Sequence, residues 1–401
     1  MIVGAGAAGL GVAEAARSLG HEGSIVLVGD EPHEPYDRPP LSKQFLSGAW
    51  EADRLPLRDR ATLDGLGIDL RLGSRAGAVD SEARSVTLAD GMTISYDALV
   101  VATGVTANRL PFGHGLSGVH VLRDLADAAR LREDLLKARS LVVIGAGFLG
   151  AEVAAVAREL DVAVALVDPL PFPLVRVLGS TIGAALADKH RAHGVDLRCG
   201  VGVRDITGED GRVSAVELDD GTRVEADVVL VAIGSKPAVD WLAGSSVPLG
   251  RRGVDPVDGV LCDGQGRALP DVYAAGDVAA WWDARVGFRH RVEHRLTAAE
   301  QGRIVAQALL RPDEAAPEPP VPYFWSDQYD LKLQVYGLPG EKLDFAVVEG
   351  DIASGRFIAV YGRDGVLSAA LGCGMPRQLR AWRQAVAEAR PWPNILEGAT
   401  A

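Results

Sequence analysis

The chain opens on an apolar pair, Ile2-Val3, that runs into Gly4-Ala-Gly6-Ala-Ala-Gly9 and then an alanine-rich stretch with helical spacing. The same order returns at Leu141-Val142-Val143-Ile144, followed by Gly145-Ala-Gly147-Phe-Leu-Gly150 and a second alanine-rich stretch. A short apolar run, a glycine turn and a helical pattern together predict a strand-turn-helix unit. Ala13, Arg17 and Leu19 recur as Ala154, Arg158 and Leu160 at identical offsets, so the second segment repeats the first. Each predicted helix leads to another apolar strand, residues 25–28 or 162–167, closing in Asp30 or Asp168. Two further apolar strands end in glycine: residues 96–104, with Thr103-Gly104 at the end, and residues 225–234. Both fit the last strand of a nucleotide domain, where the chain leaves for its neighbour.

Residues 311–320 form a polar, proline-rich linker, after which strands of period two are expected at residues 331–336 and 345–348. A helix is expected at residues 376–390. The domain scheme that follows has a split first domain, 1–108 and 235–315, an inserted second domain, 109–234, and a third domain, 321–401. The fold class expected is α/β, with two Rossmann-type nucleotide-binding domains.

In such a turn the first glycine permits the tight bend, the second lets backbone approach a pyrophosphate, and the third lets helix and strand pack closely. Asp30 lies 26 residues after Gly4 and Asp168 lies 23 after Gly145. Both are near the spacing at which an acid accepts hydrogen bonds from ribose hydroxyls. One glycine turn alone is a plain structural connection as often as a binding site. Two complete copies with terminal acids imply two dinucleotides. A carboxylate at Asp168 repels a 2′-phosphate, which favours NADH over NADPH; Arg176, eight residues on, is the counter-indication.

With 401 residues, 48% apolar and 24% charged, the composition is that of a folded multidomain protein. The net charge of −13 argues against a nucleic-acid binder, which needs a basic surface. No apolar run reaches membrane-spanning length and no signal segment is recognised, so a cytoplasmic protein with no membrane partner is expected. Only Cys199, Cys262 and Cys373 occur, too scattered for a disulfide framework or a redox pair, and no metal site is expected.

Several motifs then carry a family resemblance: Gly29-Asp30-Glu31, Pro35-Tyr-Asp-Arg38-Pro39-Pro40-Leu41-Ser42-Lys43, Ala274-Ala-Gly276-Asp277-Val278, Val292-Glu293-His294 and Phe324-Trp325-Ser326-Asp327-Gln328. In this order, over nearly the whole chain, they resemble the FAD-dependent NADH:ferredoxin reductases of bacterial cytochrome P450 and aromatic-ring dioxygenase systems. The resemblance implies a glutathione-reductase-like fold with a C-terminal α/β interface domain. It also implies that Asp30 or Glu31 meets the adenosine ribose, that Arg38 and Lys43 lie by the flavin, and that Asp277 holds the ribityl chain. Glu293 and His294 join the FAD site, Glu152 lies beside the nicotinamide, and Trp325 lies against the flavin ring. Plainer readings compete. Lys43 could be a solvated lysine, Asp277 an N-cap, Glu152 a carboxylate stabilising a helix start, and Trp325 a core residue.

The segment from Asp30 to Gln44 holds no cysteine, so a thiol relay is not expected and the reduced flavin must pass electrons outward. The resemblance makes the acceptor an acidic iron-sulfur ferredoxin. Basic residues at 285–303, with Arg295 and Arg303, and the helical stripe Arg377, Arg380 and Arg383 are candidate docking groups; solvated surface is the alternative. Arg295 stands where the family commonly has tryptophan. Competing functions are an NADH oxidase or small-metabolite reductase, and a redox-sensing protein resembling apoptosis-inducing factor.

Overall fold

The computed structural model describes residues 1–315 and 317–392. Ala316 of the proline-rich linker and residues 393–401 of the expected third domain lie outside the described residues. Contacts divide the chain into two units.

The first unit comprises Met1–Asp37, Asp53–Thr106 and Lys236–Pro322. Its central sheet has the strand order Arg267–Leu269, Val272–Ala274, Leu99–Val101, Ile2–Val3, Val26–Val28 and Asp69–Arg71. All neighbours pair in parallel except the edge strand Arg267–Leu269. Parallel strands covered on both faces read as continuous apolar runs, and Leu27, Leu99 and Val101 are fully buried here. Each buried leucine contributes about 1.5–3 kcal/mol over leaving it exposed. The helix Ala7–Ser18 packs along the helix Arg295–Leu310. Glycines allow the closeness: a Cβ on Gly302 would meet the Ala8 carbonyl oxygen and the Val12 nitrogen, and one on Gly11 the Ala299 carbonyl.

The second unit comprises Arg38–Ala52, Ala107–Ser235 and the chain from Tyr323 onward. Its parallel sheet runs Asp196–Cys199, Ala163–Asp168, Ser140–Ile144, Val228–Val231 and Val119–His120. A second, antiparallel sheet has the order Tyr323–Gln328, Leu331–Gly337, Val366–Cys373, Arg356–Arg363 and Asp344–Asp351. The helix Pro376–Ala387 packs on it through Leu379. The other helix at this sheet, Val175–Ala192, breaks at Gly179, whose φ of 78° no other residue type adopts easily. Beside the break, the Tyr361 hydroxyl donates to the Leu178 carbonyl at 2.9 Å. Leu174, just before this helix, and Leu178, Ile182 and Leu186 within it share a core with Phe324, Leu333, Phe357 and Leu371.

The two glycine-ended strands lie in the interior of their sheets. Leu99–Val101 lies between Ile2–Val3 and Val272–Ala274, and Val228–Val231 lies between Ser140–Ile144 and Val119–His120. Each is central because a strand from another part of the chain covers its outer edge, a pairing that local pattern does not encode. Among the described residues no helix is long and apolar enough to cross a membrane.

Candidate functional site

The two glycine turns show the same division of labour. A Cβ on Gly4 would collide with the Ala102 carbonyl and one on Gly9 with the Gly4 carbonyl; in the second copy Gly145 meets the Ala232 carbonyl and Gly150 the Gly145 carbonyl. Gly4 and Gly145 also take φ of 119° and 105°, conformations that side chains resist. Gly6 and Gly147 instead face open space, with nothing within 4 Å of a Cβ. Each is the N-cap of its helix, Ala7–Ser18 or Phe148–Glu159, and neither supplies a capping side chain. First-turn amides are thus left for an outside acceptor, and the helix dipole favours an anion there. A dinucleotide pyrophosphate fits both positions.

Around the first turn, Asp30 is exposed, while the Glu31 carboxylate accepts from the Tyr36 hydroxyl at 2.6 Å. Thr103 Oγ donates to the Ala238 carbonyl at 2.8 Å, and Gly104 has φ of 68°. Gly276, with φ of 78°, donates its amide to Gln301 Oε1 at 2.8 Å, tying the Gly276-Asp277 turn to the helix Arg295–Leu310. Arg291 donates to the Asp277 carbonyl at 2.6 Å and to Glu293 Oε1 at 2.7 Å. Burial pushes the His294 imidazole down to about 4, so it is neutral at pH 7. Thr297, two residues into the helix from Arg295, is 2% exposed.

The second turn carries Asp168. Its Oδ2 accepts from the Ala146 amide at 2.7 Å and its Oδ1 from the Leu170 amide at 2.8 Å, fixing the carboxylate at the end of its strand. On the helix that follows, Glu152 is 5% exposed. Its Oε2 accepts from Lys43 Nζ at 2.6 Å and from Ser42 Oγ at 2.6 Å; its Oε1 accepts from Ser326 Oγ at 2.8 Å. Lys43 also reaches the Pro39 carbonyl and Ser42 Oγ, each at 3.3 Å. It is neither solvated nor remote: Lys43 and Arg38, expected beside the flavin, belong to the unit that holds Glu152. Arg38 donates to the Arg123 carbonyl at 2.8 Å. A short 3₁₀ turn, Pro39–Ser42, aims Ser42 and Lys43 at the carboxylate.

Trp325 lies on the opposite side of its strand from Ser326. In Tyr323–Gln328, Phe324, Ser326 and Gln328 are buried while Tyr323, Trp325 and Asp327 are half-buried, and Trp325 stacks near Tyr323 with ring centroids 6.1 Å apart. Sequence reasoning missed Ser42, Ser326 and Gln328 as partners of the Glu152 site. The alternation within Phe324-Trp325-Ser326-Asp327-Gln328 was the signal available, since it puts Ser326 and Gln328 on one face.

The basic residues separate into two groups. Arg285 pairs with Asp283 at 2.7 Å, Arg291 with Asp258 at 2.8 Å, and Arg295 with Asp37 at 2.9 Å. Arg303, Arg377, Arg380 and Arg383 are exposed, and among the described residues none makes an ion pair. All three thiols are raised by burial, Cys199 and Cys373 to about 11 and Cys262 further, so none is a thiolate at neutral pH.

Comparison with known proteins agrees with this layout. The pattern of the pyridine nucleotide-disulphide oxidoreductase family matches residues 1–302, and that of the reductase C-terminal family matches residues 323–395. A ferredoxin–NAD(P)+ reductase of Sphingomonas sp. is 40% identical over 369 residues, 91% of this chain and 87% of that one. The ferredoxin–NAD+ reductase component of the biphenyl dioxygenase system of Paraburkholderia xenovorans is 38% identical, covering 94% of this chain and 90% of its own. Among solved structures, the covalent putidaredoxin reductase–putidaredoxin complex superposes with a TM-score of 0.92 at 33% identity, over 98% of this chain and 94% of that one. The chain belongs to the pyridine nucleotide-disulphide oxidoreductase family, among its FAD-dependent ferredoxin reductases.

Proposed function

We propose that the protein takes hydride from NADH onto FAD and hands the electrons singly to an acidic iron-sulfur ferredoxin that serves a cytochrome P450 or a ring dioxygenase. The duplicated glycine turn carries this reading: each copy has a second glycine open to a phosphate and an uncapped helix behind it. FAD, when bound, supplies the step from a two-electron donor to a one-electron acceptor. Gly4, Gly6 and Gly9 hold its pyrophosphate, with Asp30 and Glu31 on the ribose side and Thr103, Gly104, Gly276, Asp277, Glu293 and His294 completing the pocket. Gly145, Gly147, Gly150 and Asp168 hold NADH. The assignment keeps the split domain scheme, 1–108 with 235–315 for FAD and 109–234 for NADH, and residues 321–401 as the interface domain.

In the same reading Lys43 fixes a cation by the flavin, Glu152 orients Lys43 beside the nicotinamide, Arg38 anchors the loop that carries them, and Trp325 shields the ring. With no cysteine between Asp30 and Gln44 and the three thiols scattered along the chain, no thiol relay is assigned, so electrons go outward. Arg377 and Arg380 on the helix Pro376–Ala387, with Arg303, provide positive charge that no described residue pairs, for an acidic partner. Arg295, expected among them, has its charge met by Asp37 and contributes less. We assign the protein to the cytoplasm.

The test is NADH-driven reduction of added ferredoxin by the purified yellow protein, followed beside oxygen consumption. Carrier reduction should be far the faster. Rapid oxygen consumption with no gain from any ferredoxin refutes the proposal.

A further inference from the structure

A buried line of polar groups leads away from Glu152, and none of it is explained by binding a nucleotide. Ser326, which donates to Glu152 Oε1 at 2.8 Å, also accepts from Gln328 Nε2 at 3.2 Å. Gln328 Oε1 lies 3.2 Å from His190 Nε2, and His190 Nδ1 lies 3.0 Å from the Tyr329 hydroxyl. Ser326 and His190 are 0% exposed and Gln328 is 1% exposed. Buried polar groups placed without function are costly, so a satisfied line of four residues calls for an account.

The roles along the line are forced by chemistry. A carboxylate only accepts, so the Ser326 hydroxyl must donate to Glu152 and is left to accept from the Gln328 amide nitrogen. That orientation turns the Gln328 carbonyl to His190, which must donate from Nε2. Burial pushes the His190 imidazole down to about 4, so the ring is neutral and its Nδ1 accepts from the Tyr329 hydroxyl. Every hydrogen bond therefore points the same way, from Tyr329 through His190, Gln328 and Ser326 to Glu152. Bonds aligned in series polarise one another and hold the terminal acceptor in one orientation. The line does not carry protons: passing one through Gln328 would require the imidic form of its amide.

We propose that His190 and Gln328 are positioning residues, which fix the Ser326 hydroxyl and through it the rotamer of Glu152, and so the place of Lys43. His190 is anchored for this by its helix. It continues the buried stripe Leu178, Ile182 and Leu186 at spacing of four, and Tyr329 is in turn stacked on His193 with ring centroids 3.8 Å apart. The inference rests on the proposed place of Glu152 beside the nicotinamide.

Two measurements on the FAD-bound protein test it. Stopped-flow flavin reduction by NADH should slow about tenfold in His190→Leu and in Gln328→Leu, with NADH affinity unchanged, because a displaced catalytic carboxylate costs rate rather than binding. His190→Gln, whose amide can replace the Nε2 donor, should return within about twofold of wild type. Wild-type rates in both leucine variants, or a loss that His190→Gln fails to restore, overturn the proposal. Nitrogen-15 NMR of the histidine-labelled wild-type protein needs no variant to fold: it should show His190 as the neutral Nε2–H tautomer at pH 7. A protonated ring, or the Nδ1–H tautomer, breaks the line at His190 and refutes the inference. Glu152→Gln separates the two levels: if it leaves flavin reduction unchanged, the reading of Glu152 has failed; if it slows reduction while the leucine variants do not, only the present inference has.

Discussion

Replacing Lys43 with methionine probes the buried ion pair on which the second site is built. The two side chains are 11% and 6% exposed and 2.6 Å apart, so at an effective dielectric of about 20 the gross attraction is roughly 6 kcal/mol. Most of that is offset by the cost of withdrawing both charges from water. The variant leaves the Glu152 carboxylate buried with only the Ser42 and Ser326 hydroxyls, and breaking a buried pair in this way costs about 3–5 kcal/mol. Those hydroxyls still donate at 2.6 and 2.8 Å. Each charge-assisted bond is worth about 1.5–3 kcal/mol, which places the loss at the low end, near 3 kcal/mol. Adding Glu152→Gln removes the stranded charge, and the double variant should recover to within about 1 kcal/mol of wild type. Urea midpoints read by far-UV circular dichroism, at one fixed excess of FAD, report the cycle. A single-variant loss below about 1 kcal/mol, or a double variant no more stable than Lys43→Met, shows that the pair is not the buried, coupled unit described.

Other consequences follow from the same geometry. His190 and His294 titrate near 4 in the folded chain against 6.5 unfolded. The folded state then binds fewer protons across that window, so stability should rise with pH between 4 and 6.5 by roughly 3 kcal/mol for each ring. His190→Gln should remove one share of the slope, and an unchanged slope in pH-resolved unfolding contradicts this. Gly150→Ala, which drives a Cβ into the Gly145 carbonyl, should destabilise the fold by about 1–3 kcal/mol. Gly147→Ala, facing open space, should fold normally and weaken NADH; equal melting losses in the two would undo the separation of their roles. Asp168→Ala should raise the Kd for NADH about tenfold while leaving FAD binding unchanged, measured by titration, and equal loss at both sites would count against its assignment. Arg377→Glu with Arg380→Glu should slow ferredoxin association about tenfold at low salt and little at high salt. Salt-independent association would remove the helix Pro376–Ala387 from the docking face.

Much of the nucleotide framework was readable because its constraints are local. Gly9 and Gly150 are forced by backbone collisions within one strand-turn-helix unit, Gly4 and Gly145 take a positive φ in the turn itself, and Asp168 sits one strand away at a fixed spacing. The environment of Glu152 was hidden because its partners come from segments more than 100 residues distant, Ser42 on one side and Ser326 on the other. Arg295 shows the limit in another form. Its run of basic neighbours suggested a charged face, yet the acids Asp37 and Asp258 that neutralise Arg295 and Arg291 are brought in by tertiary packing. The central position of the glycine-ended strands is likewise a matter of which distant strand adds to an edge.

The two copies of the nucleotide unit differ most in what covers their helices. In one, Gly11 and Gly302 let the backbones of two helices touch. In the other, Phe148 at the start of its helix meets Phe324 of the antiparallel sheet edge to face, with ring centroids 5.1 Å apart. The copies are therefore not interchangeable cassettes. Transplanting the helix Phe148–Glu159 into the first unit would set Glu152 in the place of Gly11, where a Cβ already meets the Ala299 carbonyl at 3.0 Å, whatever its glycine turn could bind. A duplicated module of this kind diverges from its packed back, and attempts to exchange nucleotide preference by swapping whole modules should be replaced by grafting the turn and its terminal acid alone.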